Sequence, residues 1–385
     1  MTPPGRRLFL QRAALGVAGA AGAVALGLRA RPSGPATSTA SSVGSSIAGA
    51  SAATPGAGDG DRLVAAAQRE ATLAVVTWGD RAYHGVFAAF EAAFPGVRVA
   101  QIAESNPSTW LDLARQRRRA GNALDIALVQ PERAIQDGRA EGMWTPLRPL
   151  LVRPDILDDA TWRGGFGARF LDRGETLCFD WEHSVVHAYA VNTDLVPPEA
   201  IKSVVDLLDR RWQGQVISFD PRVGLAASSA AAVAARHGRD VLKRLLVDQR
   251  PARSPNAEHI TESLISGRFA VALGVRPKAL EAFRGRGAER VRFLDLPDAD
   301  FVPSTGLLAF AEAKHPAAAQ LFANWFLTRE AQAIIAKDMP TNSARMDVAA
   351  SDATAAGTAP YYDADREANY QHLADTAQFV RSIVS

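Results

Sequence analysis

The chain has 385 residues, with 43 lysines and arginines against 41 aspartates and glutamates, a formal charge of +2 and a single cysteine. Five of the basic and two of the acidic residues precede Arg62, so the remainder carries 38 against 39 and lacks the basic excess that a nucleic-acid binder keeps in its folded part. The lone Cys178 excludes an intrachain disulfide and a structural zinc site built on several thiolates.

In chain order, Gly5-Arg6-Arg7-Leu8-Phe9-Leu10-Gln11 leads into an almost uncharged run over residues 13–28. Paired arginines, a nearby Phe-Leu and a mild Ala/Gly/Leu/Val stretch resemble a bacterial twin-arginine export signal, with Gly5 and Gln11 departing from its consensus. A start-transfer segment of the general secretory route, or a plain membrane anchor, reads similarly, and each places the rest of the chain outside the cytoplasm. The run is short of the roughly 20 residues that a spanning helix needs. Residues 32–61 are Ser, Ala, Gly, Thr and Pro with almost no large apolar side chain. Such a segment cannot offset its ordering entropy and is predicted to be a disordered linker. Ala48-Gly49-Ala50 and Ala50-Ser51-Ala52 are candidate small-x-small cleavage sites.

From Arg62 onward the chain is long enough for two packed lobes, because single cores stop growing near about 250–300 residues. Residues 62–70 read as a short helix and 73–78 as a β-rich run ending at Gly79-Asp80. Residues 83–94 have helical spacing, with Phe87, Phe90 and Phe94 on one face, and Pro95-Gly96 ends them. A second strand is predicted at 97–102, then the loop Glu104-Ser105-Asn106-Pro107. Ser108 starts a helix whose Arg117-Arg118-Arg119 run forms a solvated face. Residues 125–129 read as a short buried strand before Gln130-Pro131. The alternation returns with strands at 187–192, 216–219, 269–274, 291–296 and 305–311, and helices at 203–208, 226–236 and 316–327. Strands separated by helices of this length predict mainly parallel sheets covered on both faces, with ligands at the carboxyl ends of the strands.

Several phrases stand in a telling order. After the opening strand and helix come Ala188-Tyr189-Ala190-Val191-Asn192-Thr193-Asp194-Leu195-Val196, then Asp206-Leu207-Leu208-Asp209 with Trp212 and Gly214. Phe219-Asp220-Pro221 and Ser266-Gly267-Arg268-Phe269-Ala270-Val271 come next. His315-Pro316-Ala317-Ala318-Ala319 then leads to Arg329-Glu330-Ala331-Gln332. This order resembles the periplasmic solute-binding proteins of ABC importers, in the extracellular family that includes ferric-ion, thiamine, polyamine and phosphonate binders. The resemblance implies a periplasmic-binding-protein-like type II α/β fold, with two α/β lobes joined by a hinge and a ligand cleft between them. The implied division is lobe 1 at 62–190 plus 303–345, lobe 2 at 191–302, and a C-terminal tail and helix across the lobes at 346–385. An export signal at 1–31 and the linker at 32–61 precede them. The implied partners are a small-molecule ligand, an ABC permease with its ATPase and the twin-arginine export machinery. No cofactor, nucleic acid or catalysis is expected.

Candidate ligand residues are strand-end positions. In lobe 1 they are Trp78, Asp80, Tyr83, Ser105, Asn106 and Gln130; near the hinge, Trp181 and His183; in lobe 2, Asp220, Arg222, Ser228 and Arg276. The tryptophans can equally be core, and Asp220-Pro221 can equally start a helix with Asp as its cap. Arg276 ends an apolar strand before Pro277, and an anionic ligand is one partner for its charge. Ferric binders of this family carry adjacent tyrosines shortly after the strand matching 270–274. Here Val275-Arg276-Pro277-Lys278 stands there, and Tyr361-Tyr362 lies in the tail. Two cations in place of two phenolates favour an anionic organic solute, such as a carboxylate or phosphonate, over iron.

Three other readings remain at this level: a ferric-ion or other metal binder of the same family, a sensor reporting to a membrane kinase, and a thiaminase-like enzyme using Cys178. His183 and His187 lie four apart beside Glu182, but not in His-Glu-x-x-His order and among strand-preferring residues, so no metal site is expected. A lone cysteine before Phe179 reads as buried and inert.

Overall fold

The computed structural model describes residues 57–384 apart from Asp80, Ser105 and Pro340. The expected export signal and most of the expected linker lie outside the described residues. The remainder of that linker needs correction, because helix α1 spans Ala57–Glu70. Asp59 in its first turn suits a helix N-terminus, and Leu63, Val64 and Ala67 give it an apolar face against the core.

The first lobe continues with β1 (Thr72–Thr77), α2 (His84–Ala93), β2 (Arg98–Ala103), α3 (Pro107–Arg119), β3 (Ile126–Val129), α4 (Pro131–Arg133), β4 (Trp144–Thr145), α5 (Pro154–Leu157) and β5 (Phe179–Asp180). The second lobe holds β6 (Tyr189–Asn192), β7 (Val216–Phe219), α6 (Gly224–Lys243), β8 (Ala252–Ser254), α7 (Ala257–Ile265), β9 (Val271–Leu273), α8 (Pro277–Glu281) and β10 (Val291–Phe293). The chain returns through β11 (Phe301–Val302) to β12 (Gly306–Phe310), α9 (Pro316–Phe326) and α10 (Arg329–Asp338), then ends with β13 (Tyr362–Asp363) and α11 (Tyr370–Ile383).

In lobe 1 the strands run β2-β1-β3-β12-β4, with β5 also on β12. β1 pairs in parallel with β2 and β3, whereas β12 enters antiparallel, Leu307 opposite Leu128. The β3 and β12 strands are fully buried, as their unbroken apolar runs require for a sheet covered on both faces. On one face, Phe322 of α9 meets Phe90 edge-on at 5.2 Å and stacks on Phe326 at 5.4 Å. Glu70 at the end of α1 caps α9, its two carboxylate oxygens accepting the Ala317 and Ala318 amides at 3.1 and 2.8 Å. On the other face, Gly306 leaves the space that Cys178 Sγ fills. Cys178 is fully buried, and burial pushes its thiol well up, so it is no exposed nucleophile.

In lobe 2 the order is β10-β6-β9-β7-β8. β7 is parallel to β8 and β9, and β6 is antiparallel to β9 with Tyr189 opposite Leu273. This moves the expected lobe boundary at 190: Tyr189 is in register with this sheet and buried in this lobe's core, so the crossing precedes it. α6 is two helical runs that meet at Gly238.

The two crossings lie side by side. Val186 and Phe301 form an antiparallel bridge, with the Val186 amide donating to the Phe301 carbonyl at 2.9 Å. A third segment joins them where β13 pairs in parallel with β11. Tyr370 at the start of α11 is buried with the lobe 1 core, and Val380 and Val384 with the lobe 2 core. Among the described residues, no helix is long and apolar enough to cross a membrane.

Candidate functional site

The carboxyl ends of the parallel strands form one rim on each lobe. On lobe 1, β1 runs out at Trp78, which is half-buried and donates its amide to the Leu128 carbonyl at 2.8 Å. The turn after it is braced from within. Thr77 Oγ1 donates to the Gly79 carbonyl at 2.7 Å, and the Gln101 side-chain amide donates to Thr77 Oγ1 at 2.9 Å. Gln101 was not among the sequence candidates; its place on β2, next to the β1 end, becomes visible only with strand pairing. Asn106 and Gln130 are exposed at the ends of β2 and β3, Gln130 in extended backbone before Pro131. Asp80 and Ser105 lie outside the described residues.

Two candidates near these rims need correction. Tyr83 is fully buried and stacks on Phe87 at 5.8 Å, and burial and the nearby Glu182 push its phenol far up. Trp181 is likewise fully buried, edge-on to Phe326 at 5.3 Å. Both are core because helices α2 and α9 supply an aromatic layer that covers them. His183 is half-buried on the outgoing crossing, with Nε2 3.2 Å from the Gly357 carbonyl, and burial holds its pKa down to about 4. It faces the tail segment.

On lobe 2 the rim consists of the ends of β7, β8 and β9. Asp220 does not cap α6, whose N-cap is Val223 without a side-chain bond. Its carboxylate instead accepts the Arg222 amide at 3.0 Å and the guanidinium at 2.8–3.1 Å, and that hydrogen-bonded guanidinium holds it below the usual carboxylate range. These two candidates therefore satisfy each other. Ser228 is half-buried within α6. At the end of β8, Asn256 caps α7, accepting the Glu258 and His259 amides at 2.8 and 3.2 Å.

Arg276 differs from its neighbours. It is exposed just beyond β9, its guanidinium 6.0 Å from the centre of the Phe219 ring, and among the described residues no carboxylate forms an ion pair with it. Gly274 makes this approach possible. Its φ is +97°, and a Cβ there would lie 2.7 Å from Phe219 Cβ. Gly274→Ala is expected to cost at least about 1–3 kcal/mol in a urea melt and to displace Phe219, because strain and overpacking act together. An unchanged midpoint would show that this close approach does not matter.

Two groups could be taken for other kinds of site. His187, Asp295 and Asp300 lie with ligand atoms within 4.8 Å of one another. The imidazole, however, already faces Asp300 Oδ2 at 2.7 Å and the Thr354 carbonyl at 2.8 Å, so both ring nitrogens are engaged. The chain's five tyrosines lie in the cores or in the tail segment. Tyr83 and Tyr189 are core, Tyr370 donates to the Asp365 carbonyl at 2.8 Å, Tyr361 donates to Asp295 at 2.9 Å, and Tyr362 is in β13.

Comparison with known proteins agrees with this architecture. Residues 85–360 match the family described as bacterial extracellular solute-binding protein. Iron-bound HitA from Pseudomonas aeruginosa has a similar fold at a TM-score of 0.59 and 17% identity, over 82% of this chain and 99% of that one. The Bordetella ferric binding protein superposes at a TM-score of 0.64 and 16% identity, over 81% and 98%. The spermidine/putrescine ABC transporter substrate-binding protein PotD from Streptococcus pneumoniae does so at 0.57 and 13%, over 81% and 99%. At these identities the likeness establishes the fold alone. No curated protein sequence matches the chain significantly.

Proposed function

From the premise that this chain belongs to the bacterial extracellular solute-binding proteins, we propose that its cleft captures a small anionic organic solute and delivers it to an ABC permease outside the cytoplasm. The observation that carries the anion preference is Arg276, an exposed guanidinium at the end of β9 beside Phe219, in the absence of any ion-pairing carboxylate among the described residues. A planar fork of donors suits a carboxylate or phosphonate, and a solute touching both lobes stabilises the closed state through contacts that the open state lacks. Trp78, Asn106 and Gln130 supply an aromatic face and amides from the opposite rim. The leader at residues 1–31 fits export by the twin-arginine route.

Iron is the rival solute, since several structural neighbours are named as iron-bound or ferric-binding proteins. Hard Fe(III) favours phenolate oxygen, and this chain's tyrosines are core, tail or hinge residues. A thermal-shift screen over organic acids, phosphonates, thiamine, polyamines and ferric citrate separates the readings, because a bound solute stabilises by about 2.7 kcal/mol at a hundred times its Kd. An organic anion is expected to raise the midpoint. Stabilisation by iron with an intense visible phenolate band, or by polyamines alone, would overturn the anionic reading.

A further inference from the structure

Three chain segments meet at the hinge, and one side chain touches all of them. His187 lies on the outgoing crossing. Its Nδ1 is 2.7 Å from Asp300 Oδ2 on the return segment, and its Nε2 is 2.8 Å from the Thr354 carbonyl in the tail. Both partners are acceptors, so both ring nitrogens must carry a proton for both bonds to form. Asp300 is fully buried and already committed. Its Oδ1 accepts the Ala188 amide at 2.9 Å, and its Oδ2 accepts the Leu296 amide at 2.9 Å.

The tail here is a strap. It is tied to lobe 1 where the Asn342 side-chain amide donates to the Asp352 carbonyl at 2.8 Å, and to the outgoing crossing where the Val185 amide donates to the Ala355 carbonyl at 2.9 Å. Beyond Thr354, Tyr361 donates to Asp295 on the return segment at 2.9 Å. Two imidazoles of the outgoing crossing meet the strap, His183 at the Gly357 carbonyl and His187 at the Thr354 carbonyl, and of these two His187 also reaches the return segment.

We propose that His187 is a proton-operated fastener of the hinge: protonated, it binds the outgoing crossing, the return segment and the strap together, and neutral, it must release one of the last two. A neutral imidazole has one N–H, and Asp300 competes for it with charge, so Thr354 is the partner released. The titratable groups around it are Asp300 and Asp295 from the return segment, Tyr361 of the strap on Asp295, and His183 on the same crossing. Burial opposes the charge on His187, but hydrogen bonds to Asp300 and Thr354 and the charges of Asp300 and Asp295 outweigh it, pushing its pKa up to about 8. Since this lies above the unfolded value of about 6.5, the fastening is fully present below about pH 6.5 and is lost as pH rises through about 8. The inference concerns the hinge and does not depend on which solute the cleft takes.

Two measurements on the full chain test it. A proton–carbon NMR titration, with His187→Gln used for assignment, is expected to place the His187 midpoint near 8; a midpoint at or below about 6.5 would overturn the proposal. Hydrogen exchange of residues 351–361, corrected for intrinsic chemical rates, is expected to quicken about tenfold or more between pH 6.5 and 9, as loss of a charge-assisted bond implies. In His187→Gln that change should vanish. A wild-type strap indifferent to pH, or an equal response in a folded variant, would refute the fastener; if the variant does not fold, the wild-type titration decides.

Discussion

Arg276→Ala is expected to weaken solute binding about ten- to a hundredfold while changing unfolding free energy by no more than about 0.5 kcal/mol. The two halves of that expectation have different sources. A guanidinium on a bound anion makes charge-assisted hydrogen bonds, and their loss leaves the anion's charge unmatched in the closed cleft. In the free protein the same side chain is exposed, rests on Phe219 at the outer limit of a cation–π contact and forms no ion pair among the described residues, so its removal leaves nothing stranded. Arg276→Lys should fall between, since an ammonium keeps the charge but not the planar fork. Arg222→Ala is the matched comparison: its guanidinium is engaged by Asp220, and the expected loss is smaller. Isothermal titration of each variant with the solute found by thermal shift reads this directly. Unchanged affinity in Arg276→Ala would remove that residue from the site.

Phe322→Ala is expected to destabilise lobe 1 by about 3–5 kcal/mol. Phe322 is fully buried and touches four other aromatic rings: Phe87 at 5.9 Å, Phe90 at 5.2 Å, Trp325 at 6.5 Å and Phe326 at 5.4 Å. These rings come from α2 and α9, both anchored by the sheet, so the cavity left by truncation has few ways to collapse. Truncation therefore removes transfer energy and leaves a void as well. Phe322→Leu retains part of the volume and should cost less. Urea melts at matched protein concentration measure both. A loss below about 1 kcal/mol for the alanine variant would show that α9 shifts to fill the space and that this layer is not rigid.

Much of the frame was legible from residues alone. The strands β3 and β12 are unbroken apolar runs bounded by turn residues, β1 and β7 are apolar apart from Thr72, Thr77 and Ser218, and α2 shows its aromatic face at helical spacing. The phrases from Ala188 to Gln332 were enough to indicate the two-lobed solute-binding frame. The short strands β4, β5, β11 and β13 were not visible, because two residues carry no periodicity. α1 began earlier than composition suggested, since its small and polar first turn looks like the linker before it.

The candidate site divides along the same line. Trp78, Gln130 and Arg276 stand at strand ends, which a local pattern can locate. Tyr83 and Trp181 have similar chemistry and similar proximity to such ends, yet both are sealed under Phe87 and Phe326. The cover on Trp181 arrives on a helix 145 positions away, so no local signal reveals it, whereas Tyr83 is covered by Phe87, four positions on, and is core because α2 itself packs into the lobe 1 core. The Asp220–Arg222 pair is a local contact that was nevertheless missed, since a carboxylate two residues before an arginine can equally cap a helix. The chain's own order of apolar runs, turns and helical faces thus determined the α/β class and the two-lobe plan, because those come from periodicity and near neighbours. Which polar groups remain available to a solute, and which imidazole clips the hinge, was decided only in three dimensions: His187 meets partners 113 and 167 positions away, and burial and pairing over such separations exist only once the chain has folded.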